Sequence, residues 1–269
     1  MTLTTLRLSD PYGKLAFREA GSGQPIVLIH GVGMQSAAWM RQIEMLSKTH
    51  RVIALDMPGH GGSSPLRRGA QLPEYVDWLQ AALRGLRLER ISLAGHSMGA
   101  LIALGFAATH TQMLDRVAVL NGVYCRSKNA RAAVEERAAQ INEGVFDLAT
   151  PLARWFGDTP CEQIAREKVA GWLSEVDLQG YATAYDAFAR GDTTYADRLG
   201  NITCPLLALT GSDDQNSSPE MARSIAAAAP LGQALVIEGH RHMVSLTAEE
   251  AVNTALQEWL ETKQKVEAQ

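Results

Sequence analysis

Gly95-His96-Ser97-Met98-Gly99 sets a serine hydroxyl between two glycines, after the apolar run Ile91–Ala94 and before a second apolar run, Ala100–Ala108. A serine is a weak nucleophile at neutral pH; it needs a base within hydrogen-bond reach, and the base needs an orienting partner. Histidine suits the task because its pKa lies near neutrality. The chain has seven histidines. His50 and His110 fall at the far ends of helical stretches and are expected to be solvated. His96 belongs to the serine turn and is expected to point away from Ser97. His240 and His242 follow the last strand-like run, Ala234–Glu238, on a loop that can reach back over a sheet. The acid is sought after the preceding run, where Gly211-Ser212-Asp213-Asp214 offers two carboxylates.

These residues must be held by the elements around them. G-x-S-x-G is the pattern of a strained strand-to-helix turn that lifts the serine clear of the sheet. Such a backbone conformation costs about 1–3 kcal/mol, and a Cβ at either flanking glycine would crowd strand against helix. The helix that follows points the positive end of its dipole at the turn. Along the rest of the chain, short strands are predicted at 3–8 and 14–19. Buried strands are predicted at Pro25–His30, Arg51–Leu55, Arg116–Asn121, Cys204–Thr210 and Ala234–Glu238. Their continuous apolar runs suit a parallel sheet covered on both faces. Helices are predicted at Trp39–Ser47, Leu72–Leu86, Pro219–Ala229 and Glu249–Thr262. From Tyr124 to Leu199 no buried strand is found. Helical periods run instead through Ala130–Ile141, Val145–Trp155, Cys161–Leu173 and Tyr181–Ala189. The expected division is therefore a core at 1–123 and 200–269 with a helical cap, or lid, at 124–199. In a sheet of this class ligands bind at the carboxyl ends of the strands, where every motif above falls.

Bulk properties narrow the functions. The 269 residues are 46% apolar and 20% charged, with a net charge of −4, which gives no electrostatic case for nucleic acid or an anionic membrane. The start MTLTTLRLSD has no signal-peptide pattern, and the longest apolar run is too short to span a bilayer. Cys125, Cys161 and Cys204 are widely spaced; they read as free thiols, each buried filler, in a reducing, cytoplasmic setting. No metal-ligand spacing appears, and no cofactor is expected. The partner is a small-molecule substrate; the oligomeric state is left open.

Taken in order, His30-Gly31 after a strand, Asp56-x-x-Gly59-x-Gly61-x-Ser63, the Ser97 turn, Gly211-x-x-Asp214 and a late histidine resemble the α/β-hydrolase superfamily over essentially the whole chain. The resemblance implies an α/β fold with a mostly parallel eight-stranded sheet, helices on both faces and a helical cap insertion. Carried over, Ser97 is the nucleophile, Asp214 the acid and His242 the base, the last two 28 positions apart. Asp213 with His240 is the competing pair, disfavoured because Asp213 would point the other way at the strand end. The oxyanion hole would be the N–H groups of Val32 and Met98; each such donor commonly contributes about 3–4 kcal/mol. His30 is expected to be bonded beneath its loop, with a substrate contact as the alternative. Asp56–Ser63 reads as a structural loop. Serine at the elbow argues against dehalogenase and epoxide-hydrolase chemistry, and Met243 after His242 against ring-cleavage-product hydrolases. Val119-Leu120-Asn121 and Arg154-Trp155-Phe156 resemble segments of 3-oxoadipate enol-lactonases. The resemblance thus implies hydrolysis of a small ester or lactone, with Arg154 and Trp155 as candidate substrate contacts and Arg154 suited to a carboxylate. A C–C or amide hydrolase with the same triad is the enzymatic alternative, and a ligand sensor on a hydrolase scaffold the other. Of the lid aromatics Trp155, Phe156, Trp172, Tyr181, Tyr185 and Phe188, two or three are expected to touch ligand.

Overall fold

The computed structural model describes residues 2–262; positions 1 and 263–269 of the expected core lie outside them. Eight strands form one sheet. They are β1 (Thr4–Arg7), β2 (Lys14–Ala20), β3 (Pro25–Ile29), β4 (Arg51–Leu55), β5 (Ile91–His96), β6 (Leu114–Leu120), β7 (Leu206–Gly211) and β8 (Gly232–Ile237), in the order β1-β2-β4-β3-β5-β6-β7-β8. The pairs β1–β2 and β2–β4 are antiparallel; all the others are parallel. The central runs β3, β4, β5 and β7 are apolar on both faces because both faces are covered. Val27, Ile29, Ile53, Leu55 and Leu93 pack into one cluster and Ile26, Leu28, Val52, Ala54 and Ala94 into the other, as a period of two residues requires.

Three helices cover the first face: α2 (Leu72–Gly85), α3 (Met98–Thr109) and α8 (Pro219–Ala228). Two cover the second: α1 (Met40–Leu46) and α10 (Glu249–Glu261). In α2, Leu72, Tyr75, Val76, Leu79 and Leu83 form the buried stripe, and Gln71 and Glu74 cap the start reciprocally. From Met98 to Ala108 α3 is buried all round, being wedged between the sheet and its neighbours. Short α9 (Val244–Thr247) leads into α10.

Between β6 and β7 the described chain is helical: α4 (Lys128–Asn142), α5 (Ala149–Trp155), α6 (Pro160–Glu175) and α7 (Leu178–Gly191). Two starts differ from expectation, each for a local reason. The helix predicted from Val145 begins at Ala149, because Asp147 Oδ1 accepts the N–H groups of Ala149 (2.8 Å) and Thr150 (3.3 Å) in a turn. The helix predicted from Tyr181 begins at Leu178, capped by Asp177, whose Oδ1 accepts Gly180 N–H at 2.6 Å. The stretch predicted as one helix from Trp39 opens with a 3₁₀ turn, Ser36–Trp39, before α1.

Candidate active site

Ser97 stands between the end of β5 and the start of α3 with φ 54°, a conformation a side-chain-bearing residue rarely adopts. Its flanking glycines explain how the turn closes. A Cβ on Gly99 would lie 2.3 Å from the Ile29 carbonyl oxygen, and one on Gly95 2.0 Å from the Gly99 carbonyl oxygen. Ser97 Oγ lies 3.1 Å from Nε2 of His242, on the loop after β8, and His242 Nδ1 lies 2.8 Å from Asp214 Oδ2, on the loop after β7. All three residues are buried. Since Asp214 can only accept, His242 Nδ1 carries the hydrogen and Nε2 presents its lone pair to the serine. Asp214 Oδ2 also accepts from Asn121 Nδ2 (2.7 Å), and its Oδ1 accepts from the N–H groups of Asn216 (2.8 Å) and Ser217 (3.1 Å). Burial by itself would raise the Asp214 pKa; His242 and these donors outweigh it and hold the carboxyl below its ordinary value. Asn121, at φ 50° after β6, is thus a second orienting group. The sequence marks it only through a family resemblance.

The competing pair is not assembled. Asp213 is exposed and accepts from the Ser212 hydroxyl at 2.8 Å, while His240 Nδ1 meets Thr247 Oγ1 at 3.2 Å. His50 and His110 are half-buried rather than solvated, each with Nδ1 on the preceding threonine hydroxyl. His96 is buried against the His242 ring, 5.1 Å between centroids, and its Nε2 donates to the His242 carbonyl at 2.8 Å. Burial, then the nearby His242, lowers its pKa to about 3, so it is neutral.

The loop after β3 passes the serine closely: a Cβ on Gly31 would lie 3.0 Å from Ser97 Cβ. Two neutral histidines shape it. His30 donates from Nδ1 to Gly31 O (2.7 Å) and accepts Met57 N–H at Nε2 (2.9 Å); His60 accepts Gly33 N–H at Nε2 (2.9 Å) and has Nδ1 3.0 Å from Pro58 O. Burial drives the His30 pKa well down and takes His60 to about 4. Asp56 ties the same loops together through Ser36 N–H (2.7 Å) and Gly62 N–H (2.9 Å). His30 is bonded beneath its loop through both nitrogens, and the alternative in which it touches substrate is corrected, since it does not border the cavity. Val32 does border it. Met98 opens α3, where an N–H has no partner within the helix.

A cavity of about 340 Å³ opens over Ser97 and His242, roofed by α4, α5 and α7. Trp155, Tyr181, Tyr185 and Phe188 line it, four of the six expected aromatics; Phe156 and Trp172 do not. Arg126, Arg137 and Arg154 also line it, and no Asp or Glu does; Arg137 donates to the Asp147 carbonyl at 2.8 Å. Arg126 is pinned. Its side chain is 5% exposed, 3.5 Å from Asp192, bonded to the Phe188 and Ala189 carbonyls and stacked 4.5 Å over the Phe188 ring. Arg131 shares Asp192 at 2.9 Å, so one carboxylate there serves two cations. Arg154 is exposed and 3.4 Å from Asn216 Oδ1. Sequence reasoning missed Arg126 and Arg137. The signal for Arg137 was present, since Ala130, Ala133, Val134 and Arg137 recur at helical spacing and form the α4 wall. A second hollow of about 400 Å³, between β7, β8 and α10, holds none of these groups.

The geometry can be set beside known proteins. A model described as "Alpha/beta hydrolase family" matches residues 26–255. The chain belongs to the alpha/beta hydrolase family. As a member of that family it is an enzyme with hydrolase activity, and the eight-stranded, mostly parallel sheet is the expected one. It is 52% identical over 262 residues to the (E)-2-((N-methylformamido)methylene)succinate hydrolase of Acinetobacter baylyi, covering 97% of this chain and 99% of the relative. Among solved structures it is similar to a thermophilic esterase from Thermogutta terrifontis with malate bound (25% identity, TM-score 0.85, 97% and 98% covered). It also shares the fold of an enol-lactonase from Burkholderia xenovorans LB400 (24%, TM-score 0.84, 94% and 100% covered).

Of the cysteines, only Cys204 is buried; Cys125 and Cys161 are exposed, because the loop after β6 buries Arg126 instead and Cys161 faces out from the first turn of α6. Among the described residues no helix is long and apolar enough to cross a membrane, and no cluster of three or more His, Cys, Asp or Glu could hold a metal ion.

Proposed function

We propose that this hydrolase cleaves the acyl C–N bond of a small N-acyl enamine bearing carboxylates, within the cytoplasm. The observation that carries this reading is the 52% identity, over nearly the full length of both chains, to a hydrolase named for such a substrate. That named compound has a formamide and two carboxylic acids, and neither an ester nor a lactone. The ester or lactone reading accordingly gives way to the amide alternative. The cavity supports the acidic class: Arg137 and the exposed Arg154 line it, no Asp or Glu does, and arginine binds carboxylates through paired N–H donors. Segment 124–199 acts as the lid that selects it.

The chemistry suits a serine triad. In an N-acyl enamine conjugated to a carboxyl group, the nitrogen lone pair is drawn into the enoate, so the acyl carbonyl behaves more like that of an ester. Ser97 attacks this carbon while His242 Nε2 takes the hydroxyl proton, and Asp214 stabilises the imidazolium. The N–H groups of Val32 and Met98 receive the developing oxyanion. His242 returns the proton to the departing nitrogen, and water activated by the same imidazole releases the acid from Ser97. With a formyl group, one water is consumed and formate and a secondary amine are formed. Incubating the purified chain with the relative's named substrate and measuring formate tests the reading. Stoichiometric formate, absent with Ser97→Ala, is the expected result. No formate, with rapid turnover of enol-lactones, would restore the ester or lactone reading.

A further inference from the structure

We infer that Arg241 is a positioning residue that ties the lid helix carrying Arg154 and Trp155 to the loop carrying His242. One nitrogen of its guanidinium, Nη1, has two hydrogens and meets two carbonyls, Ala153 O at 3.0 Å and Phe156 O at 2.6 Å. Both lie at the C-terminal end of α5, where carbonyls lack partners within the helix and the dipole favours a cation. The link from α5 to α6 gathers at the same place. Glu162, whose charge senses Arg241, accepts Gly157 N–H (2.8 Å) and the Thr159 hydroxyl (2.8 Å).

On the other side, the Arg241 backbone belongs to the base loop. Its carbonyl accepts Asn121 Nδ2 at 3.4 Å, the same amide group that holds Asp214. The next residue is His242, whose carbonyl is held by His96 and whose ring lies 5.9 Å from that of Trp155. Thus α5 meets the base twice: Trp155 beside the imidazole and Arg241 through the adjoining backbone. A helix displaced from the cavity takes the Arg241 anchor with it and loosens the residue next to the base. The lid then does more than roof the cavity; its seating sets the aim of Nε2 at Ser97. The inference rests on the proposed roles of Ser97 and His242.

The test is a double-mutant cycle on the rate of Ser97 labelling by a fluorophosphonate, a small probe that needs the nucleophile and base and no lid contact. Arg241→Met should slow labelling about tenfold, Trp155→Ala should slow it less, and the pair should fall short of the product of the two single effects. Arg241→Lys, which keeps the charge and can reach one carbonyl, should recover most of the loss. Arg241→Met should also lower kcat for an uncharged p-nitrophenyl ester while leaving its KM within about twofold. Labelling at wild-type rate in Arg241→Met, or strictly multiplicative effects, would overturn the tie while leaving the triad intact. If the wild-type protein is not labelled in a manner abolished by Ser97→Ala, the assigned roles and the tie fall together.

Discussion

The proposed triad at the strand ends and the pocket beneath the proposed lid are built in different ways. At the strand ends, each group is fixed by short contacts from backbone or from neighbours that have no freedom left. Asp214 accepts from an imidazole, an amide side chain and two backbone N–H groups, and the neutral His30 and His60 each use both nitrogens. Over the cavity, Arg137 and Arg154 are long side chains on separate helices, and Arg154 is exposed. On the proposed reading, one region is preorganised for the reaction and the other selects the substrate. Chemistry should therefore fail on single substitutions in the first region, and selectivity should shift on substitutions in the second.

The largest effect is expected at Ser97. Ser97→Ala should remove on the order of a millionfold of turnover, the loss typical of a triad without its nucleophile, while the melting temperature stays close to wild type. Retention of a tenth of the rate would reassign the nucleophile. Next is Asp214→Asn, which presents an amide to His242 and favours the wrong tautomer; about 10⁴ in kcat is the expected loss. Asp213→Asn, on an exposed side chain bonded to Ser212, should change kcat less than about threefold, within the range of neutral surface changes. Equal losses at the two positions would erase the distinction between them.

Substitutions of the cavity arginines on α4 and α5 should act on KM and only for acidic substrates. Arg137→Met and Arg154→Met should each raise KM for a dicarboxylate by roughly ten- to a hundredfold, the range of a lost charge-assisted hydrogen bond. They should leave hydrolysis of an uncharged ester unchanged. Arg126 is a poorer probe because its ion pair with Asp192 and its carbonyl contacts also hold α7 in place.

A smaller effect concerns pH. Burial holds His96 at about 3 and His60 at about 4, whereas in the unfolded chain a histidine titrates near 6.5. Above that value both states are neutral and nothing is lost. As pH falls below it, the unfolded chain takes up protons that the folded chain refuses, and stability drops by about 1.4 kcal/mol per pH unit for each such histidine until its folded pKa is reached. Urea unfolding at pH 7 and pH 5 should show a lower midpoint at pH 5, and part of the difference should vanish in His60→Gln. Equal midpoints would mean that the burial of these rings is not maintained in solution.

The same contrast governs what the sequence discloses. Ser97, Asp214 and His242 each sit in a short motif at a strand end, so local pattern narrows the acid and base to two candidates each, and the family resemblance selects Asp214 and His242. Gly95 and Gly99 are legible for the same reason, since the crowding they relieve is built into the turn. Arg126 and Arg137 reach one cavity only after α4 and the loop after β6 have packed, and arginines on a helical segment look alike until then. His30 stands near the site in sequence and is used beneath it, a distinction made by the Met57 N–H at its second nitrogen. The exposed Cys125 and Cys161 follow from which neighbour the lid buries, which composition does not encode.

The central claim, a fixed triad served by a cationic lid, is tested most directly by formate release from the dicarboxylate N-formyl enamine and from its dimethyl ester, in wild type and in Arg137→Met/Arg154→Met. Wild type should prefer the dianion by about a hundredfold or more in kcat/KM, as two charge-assisted contacts imply, and the double variant should lose that preference while still releasing formate from the diester. An equal preference in both proteins would contradict the account.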